Sequence, residues 1–180
     1  FGAHNPGQRE LPFCIHTRYS TQQAILEDIV ASLYAQGMRK LIILSGHGGN
    51  NFKGMIRDLA FVYPDFLIIA ADWFSIVPPK DYFEAVVDDH AGESETSVMM
   101  HYHPELVNLA EAGDGESQPF AIPSLNEKVG WAPRHWNKAT VDSGVGNPKK
   151  ASAEKGERYM KPVVEKLSKL FTEVGQGSLY

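Results

Sequence analysis

Two short segments of this chain combine a histidine with glycines, and the second segment adds carboxylates. The first covers residues 45–51 (SGHGGNN) and the second covers residues 88–97 (DDHAGESETS). Glycine lets the backbone approach a ligand closely, and imidazole is both a common metal ligand and a proton carrier near neutral pH. Together the two segments predict a shared metal or acid–base centre.

His47 follows an apolar run, Leu41–Leu44, that is typical of a buried strand. The carboxyl end of a parallel strand is where open α/β sheets bind ligands, so His47 is predicted to be functional. The same loop partly fits the dinucleotide pattern G-x-G-x-x-G, although Asn51 replaces its third glycine. Asp72, at the end of the next predicted strand, stands where a ribose-binding acid would be. A nucleotide cofactor therefore remains an alternative.

His90 and Glu93 are three residues apart, which predicts that both lie on one side of a helical entry turn. Either the pair binds metal, or His90 is a general acid or base beside a metal-bound carboxylate. The alternative is that Glu93 or Glu95 only stabilises the helix N-terminus. If Glu93 faces the site, Glu95 points away and is expected to be a structural ion-pair or hydrogen-bond partner.

The hydrophobic pattern predicts alternating helices and strands. One helix runs from a capping box at Ser20 to Gly37, and another from Asn50 or Asn51 to just before Pro64. Strands are predicted at residues 39–44 and 66–71. Later helices are predicted at residues 92–103 and 148–171, the last with a kink at Pro162. This order implies right-handed βαβ crossovers and a mostly parallel sheet. Residues 113–147 are predicted to be loops.

Composition narrows the class of protein. The 180 residues are enough for one domain, and the net charge of −5 with no basic run argues against nucleic-acid binding. No apolar run could cross a bilayer, and the single cysteine, Cys14, fits a reducing compartment, so we expect a cytoplasmic protein. The chain starts at Phe1 without methionine, which suggests a piece of a longer polypeptide. His4, Cys14 and His16 are further potential ligands.

The chain resembles the creatininase (creatinine amidohydrolase) family. The motifs that carry the resemblance are SGHGGNN at 45–51, HAGESETS at 90–97 and SGVGNPKKASAEKG at 143–156. It implies a three-layer α/β/α domain with a mostly parallel central sheet, and a metal-dependent hydrolase of C–N bonds in cyclic or linear amides. It also implies two divalent metals (zinc, manganese or iron) per site and a homo-oligomer, commonly a hexamer. By position, His47 and Glu93 would be metal ligands and His90 would protonate the leaving nitrogen.

Two departures from the family pattern shape the expected chemistry. Gly49 stands where creatininase proper has a glutamate ligand, which favours small amide-like substrates of other branches, such as formamides, inosose rings or peptides. The family's N-terminal Glu, His and Asp ligands precede the region that matches Phe1. We therefore expect that the 180 residues lack an N-terminal portion and are not a self-sufficient catalyst.

The resemblance also implies a mechanism. Metal-bound hydroxide would attack the carbonyl carbon, and backbone N–H groups of the glycine loop would help to hold the oxyanion. The predicted substrate-binding residues are Gly48, Gly49, Asn50, Trp73 and Trp131. A non-catalytic α/β binding or assembly subunit is the alternative from a different class.

Overall fold

The structure is a computed structural model that describes residues 5–9, 11–178 and 180. The predicted ligand His4 lies outside these residues. The described chain divides into two compact units. The first contains residues 15–76 and 163–180, and the second contains residues 5–14 and 77–162. Each unit holds one of the two histidine loops.

The first unit is built on a parallel pair of strands joined by a helix. After helix α1 (Tyr19–Ala35) come strand β1 (Lys40–Ser45), helix α2 (Lys53–Val62) and strand β2 (Leu67–Asp72). Strand β1 pairs in parallel with β2, from Lys40 opposite Leu67 to Ser45 opposite Asp72. Parallel neighbours need a crossover connection, which α2 provides. The predicted β-α-β order and the parallel pairing are confirmed.

The core of this unit comes from one face of each helix and from β2. Its buried members are Leu26 and Val30 of α1, Met55 and Leu59 of α2, Phe66, and Ile68 of β2. The helical members are four residues apart, so each pair lies on one face. Each such side chain contributes about 1.5–3 kcal/mol when fully buried. Leu41 and Ile43 of β1 are half-buried against this cluster, which holds the strand in place, and the first histidine loop follows its last residue, Ser45.

The predicted N-terminal caps of both helices are wrong in this unit, whereas Gly37 follows the end of α1 as predicted, with φ of +86°. Arg18 occupies the N-cap of α1 and no side chain caps the helix, so the capping box at Ser20 does not form. Phe52, not an asparagine, occupies the N-cap of α2. The reason is that Asn50 belongs to a turn, in which its N–H donates to the His47 carbonyl at 3.1 Å.

The second unit contains a small antiparallel sheet and short helices. Its elements are β3 (Asp88–His90), α3 (Glu93–Tyr102), α4 (Pro123–Asn126), α5 (Trp136–Ala139) and β4 (Val145–Gly146). Strand β3 pairs with β4. The α/β class is confirmed. A mostly parallel central sheet is not, because the described strands form two separate two-stranded sheets.

Helix α6 (Ala153–Gln176) starts in the second unit, and its residues from Val163 belong to the first. It begins later than predicted, because residues 148–150 form a separate 3₁₀ turn in which Asn147 accepts the Lys149 N–H at 2.9 Å. Pro162 lies inside the helix, and the kink there stays a prediction. Within the described part of the chain, no helix combines the length and apolar character that crossing a bilayer requires.

Two glycines, one at the end of β4 and one beside it, fix the local backbone. Gly115 and Gly146 have φ of +62° and +121°, a region that side chains with a β-carbon rarely adopt. The Gly146 N–H donates to the Gly115 carbonyl at 3.0 Å. A β-carbon on Gly115 would collide with the Gly146 carbonyl, and one on Gly146 would lie 2.7 Å from the Val87 carbonyl. The close approach of these segments therefore requires both glycines.

Candidate functional site

The first histidine loop is exposed at the end of β1. His47 and the three glycines around it are solvent-accessible, and the Gly49 N–H donates to His47 Nδ1 at 2.9 Å. A neutral imidazole whose Nδ1 accepts a hydrogen bond carries its proton on Nε2. Neither ring nitrogen then offers a free lone pair. Metal binding by His47 therefore requires the ring to release the Gly49 N–H.

The same hydrogen bonds bear on the other roles predicted for this loop. The N–H groups of Gly49 and Asn50 both donate within the loop. In this conformation they cannot also hold a phosphate or an oxyanion, so the nucleotide alternative gains no support from the geometry.

Aromatic side chains flank the glycine loop from the end of β2. Trp73 is half-buried and meets Phe74 edge to face, with ring centroids 6.0 Å apart. The Phe74 ring lies 3.7 Å from where a β-carbon on Gly48 would sit. Trp73 was predicted from the sequence as a substrate contact, whereas Phe74, the next residue, was not. Trp131, predicted to line the pocket, is 86% exposed.

The second loop differs from its predicted geometry. His90 ends strand β3 and does not start a helix, so the argument that His90 and Glu93 share one face of a helical turn was wrong. Between them, Ala91 has φ of +50°, and Gly92 is the N-cap of α3. The left-handed backbone at Ala91 breaks the helical spacing. His90 and Glu93 consequently have different surroundings.

His90 is held against a buried indole. Its ring meets Trp136 edge to face, with centroids 5.0 Å apart and planes at 71°, and Trp136 is 8% exposed. The Arg134 guanidinium lies 4.8 Å from the Trp136 centroid and pairs with Asp89 Oδ2 at 2.6 Å. Neither Trp136 nor Arg134 was among the site residues predicted from the sequence. These contacts join segments more than 40 residues apart, so no local pattern of residues indicates them.

Glu93 is buried and fully engaged by the protein. Its side chain is 0% exposed, and its Oε2 accepts the N–H groups of Glu84 and Ala85 at 2.9 and 2.8 Å. Its Oε1 accepts Lys155 Nζ at 2.5 Å. A buried carboxylate needs such partners, because an unpaired buried charge is very costly. This geometry opposes the assignment of Glu93 as a metal ligand, which stays a prediction.

The ionisable groups around this carboxylate are shifted by their neighbours. Hydrogen bonding to Glu93 raises the pKa of Lys155 above its usual range, against the opposing effect of desolvation. Hydrogen bonds from Lys150 and then Lys155 lower the pKa of Glu84 to about 2. Burial raises the pKa of Asp88, whose Oδ2 accepts the Ser94 N–H at 3.0 Å. The carboxylates of this unit thus carry structural hydrogen bonds.

A metal needs several converging ligands, and the described residues do not supply them. Within residues 5–9, 11–178 and 180, no three or more His, Cys, Asp or Glu side chains are grouped as a metal site. His47 belongs to the first unit, and His90 and Glu93 to the second. The shared centre predicted from the two loops therefore stays a prediction.

The family profile described as creatinine amidohydrolase matches residues 1–171. This range contains both histidine loops and most of the chain. The chain belongs to the creatininase family, which confirms the resemblance seen in its motifs.

Two curated relatives show the range of this family. The chain is 32% identical over 131 residues to the mycofactocin precursor peptide peptidase of Mycobacterium ulcerans (strain Agy99), covering 70% of this chain and 45% of that protein. It is 24% identical over 187 aligned positions to the creatinine amidohydrolase of Pseudomonas putida, covering 96% of this chain and 67% of that protein. The chain thus spans less than half of the mycobacterial relative.

Solved structures agree with this assignment. A Bacteroides fragilis NCTC 9343 protein, provisionally assigned as a creatinine amidohydrolase, is 83% identical, with a TM-score of 0.96 over 99% of this chain and 71% of that one. A creatininase mutant of the Zn–Zn type has a TM-score of 0.72 at 21% identity, covering 95% of this chain and 72% of that one. At that identity the likeness shows the fold alone.

Proposed function

We propose that the whole protein is a hydrolase that cleaves the C–N bond of a small amide, cyclic amide or peptide. In this proposal His90 protonates the departing nitrogen. The observation that carries it is the half-buried imidazole of His90, 33% exposed and set against buried Trp136. A general acid must be held in a defined position and remain within reach of the substrate. The proposal extends to a three-layer α/β/α fold and a homo-oligomer, a hexamer by family resemblance.

The surroundings of His90 suit a proton donor. The Glu95 carboxylate lies 4.0 Å from His90 Nδ1, and the Arg134 guanidinium beside Trp136 pairs with Asp89. Trp136 shields one side of the imidazole from water. In each turnover the imidazolium would give a proton to the leaving nitrogen and regain one from solvent. We further propose Gly48, Gly49, Asn50, Trp73 and Trp131 as substrate contacts.

The metal is a separate part of the proposal. A zinc–zinc creatininase among the structural neighbours supports a divalent metal, which would be zinc, manganese or iron, with two per site, and would activate water. His47 is the proposed ligand from this chain, after its ring releases the Gly49 N–H. Glu93 is the weaker assignment, because ligation would strip Lys155 of its buried partner. Since the described residues do not fit a complete ligand set, the proposed steps rest on this chain's own side chains alone.

The role of His90 is tested on the full-length protein with creatinine and with short peptides as probe substrates. His90→Gln should lower turnover about 10²–10⁴-fold, as removal of a general acid does, while elemental analysis finds its metal content unchanged. His103→Gln is the matched control, because His103 is exposed at the end of α3. Equal turnover in the His90 variant and the wild type would refute the role. Parallel loss of metal would show that His90 is a ligand.

The metal assignment has its own test. His47→Ala should remove at least one metal equivalent from the full-length protein and leave its circular dichroism unchanged. An unchanged metal stoichiometry would contradict ligation by His47.

One observation favours a second candidate, a non-catalytic binding or assembly subunit. The buried carboxylate of the second motif, Glu93, binds Lys155 and in this conformation is not available as a ligand, and the described residues hold no metal-ligand cluster. Full-length protein that binds no zinc, manganese or iron and hydrolyses neither probe would favour this candidate.

A further inference from the structure

The backbone next to His90 is held in an unfavourable conformation by the helix that follows. Ala91 has φ of +50°, where a β-carbon clashes with the neighbouring carbonyl. Its N–H donates to Glu95 Oε2 at 2.6 Å, and its carbonyl accepts the Thr96 hydroxyl at 3.3 Å. Both polar groups of this residue are therefore bound by consecutive side chains of the first turn of α3.

We propose that Glu95 is a positioning residue that fixes the His90 imidazole by holding the Ala91 peptide. The proposal rests on the proposed function for the statement that His90 is catalytic. Without the Glu95 hydrogen bond, Ala91 is free to return to an ordinary backbone conformation. The peptide plane that joins it to His90 would then turn. The His90 ring would then move away from Trp136, whose ring centroid lies 5.0 Å from that of His90 in the structure.

The geometry favours positioning through the hydrogen bond over a direct effect of charge. Glu95 Oε2 lies 4.0 Å from His90 Nδ1, beyond hydrogen-bonding distance. The two side chains are 48% and 33% exposed, so solvent screens their interaction. The next charged groups along the chain and beside Trp136, Asp89 and Arg134, form their own ion pair. The short bond to the Ala91 N–H is the stronger link.

Two conservative variants distinguish the effect of the length of the Glu95 side chain from the effect of its charge. Glu95→Gln keeps an oxygen at the same distance along the side chain but removes the charge. Glu95→Asp keeps the charge but shortens the side chain by one methylene, so that its oxygen falls short of the Ala91 N–H. Positioning through the hydrogen bond predicts that Gln behaves as the wild type and Asp does not. An effect of charge on the imidazole predicts the reverse.

The first readout is the NMR signal of the His90 ring in full-length protein carrying ¹³C-labelled histidine. The signal is assigned by its absence in His90→Gln, and the Trp136 ring current displaces it from the position of a free histidine. We expect Glu95→Asp and Glu95→Ala to move it toward the free position and Glu95→Gln to leave it in place. Glu105→Ala is the matched control, because Glu105 is an exposed carboxylate 3.3 Å from another histidine, His103.

The second readout is turnover of whichever probe substrate the wild type hydrolyses. Glu95→Asp should lower kcat about 10–10²-fold with little change in KM, since misplacement of a catalytic group by about 1 Å costs about that much. An unmoved His90 signal in Glu95→Asp, or one displaced as far in Glu95→Gln, overturns the proposal. The NMR result needs no substrate, so absence of turnover in the wild type refutes the proposed function and leaves the positioning role to be decided by the ring signal.

Discussion

Lys155→Met would leave the buried carboxylate of Glu93 without its charged partner. Breaking a buried ion pair from one side costs about 3–5 kcal/mol. Lys155 is 20% exposed, and Glu93 would keep two backbone N–H donors, so we expect the low end of that range, about 3 kcal/mol. For a protein of this size, that corresponds to a fall in Tm of about 6–12 °C.

The matched control is Lys150→Met. Lys150 also pairs with Glu84, at 2.8 Å, but its side chain is 67% exposed, and exposed ion pairs contribute about 0–1 kcal/mol. Urea denaturation of both variants, followed by tryptophan fluorescence, compares the midpoints at equal slope. If Lys155→Met costs no more than Lys150→Met, the buried pair does not stabilise the protein as argued.

The pH dependence of this difference follows from the direction of the Lys155 shift. Its pKa is raised above the ordinary value of 10.5 in the folded protein, so folding favours the protonated ammonium. The stabilisation is fully present below pH 10.5 and is lost as the pH rises through the folded pKa. The stability gap between wild type and Lys155→Met should therefore be constant from about pH 7 to pH 9 and close above about pH 10.5.

Two other predictions concern helix α6. Gly156→Ala should destabilise the protein by about 1–3 kcal/mol, since the new β-carbon would collide with the Ser97 carbonyl. Gly175→Ala should stabilise it by about 0.5–1 kcal/mol, because no atom lies within 4 Å of the new β-carbon. Equal urea midpoints for the two variants would contradict this. Lys40→Met should cost about 1 kcal/mol, because the Lys40 ammonium bonds two carbonyls at the helix end at 2.6 Å. The same measurement on Lys169→Met, which removes an exposed pair within the helix, should show less than about 0.5 kcal/mol, and an equal loss would refute the capping role.

The elements of the first unit were predictable because their signals are local. The apolar positions of α1 and the run Leu41–Leu44 reflect which face each element buries, and the structure has these elements within a few residues of their predicted limits. The N-terminal cap of α2 was not predictable, because Asn50 is part of the turn around His47 and bonds within it. Competition between neighbouring acceptors cannot be read from residue type alone.

The second unit shows more clearly which contacts residue types and spacing do not predict. The sequence singled out His90 and Glu93 as a pair, yet one packs on Trp136 and the other is bound by Lys155. Both partners are distant in sequence, and the left-handed residue between the two, Ala91, is not a glycine. Types and spacing thus identified the segment where chemistry is expected but not the contacts of each side chain.

The paired glycines beside β4 limit how this segment can evolve. At Gly115 and Gly146, the obstacle to a side chain is backbone, which cannot rotate aside as a side chain can. A substitution at one glycine therefore cannot be rescued by changing the other. Exposed Glu116, the immediate neighbour of Gly115 in sequence, carries no such restriction. Substitutions should therefore accumulate at Glu116 while Gly115 and Gly146 stay unchanged.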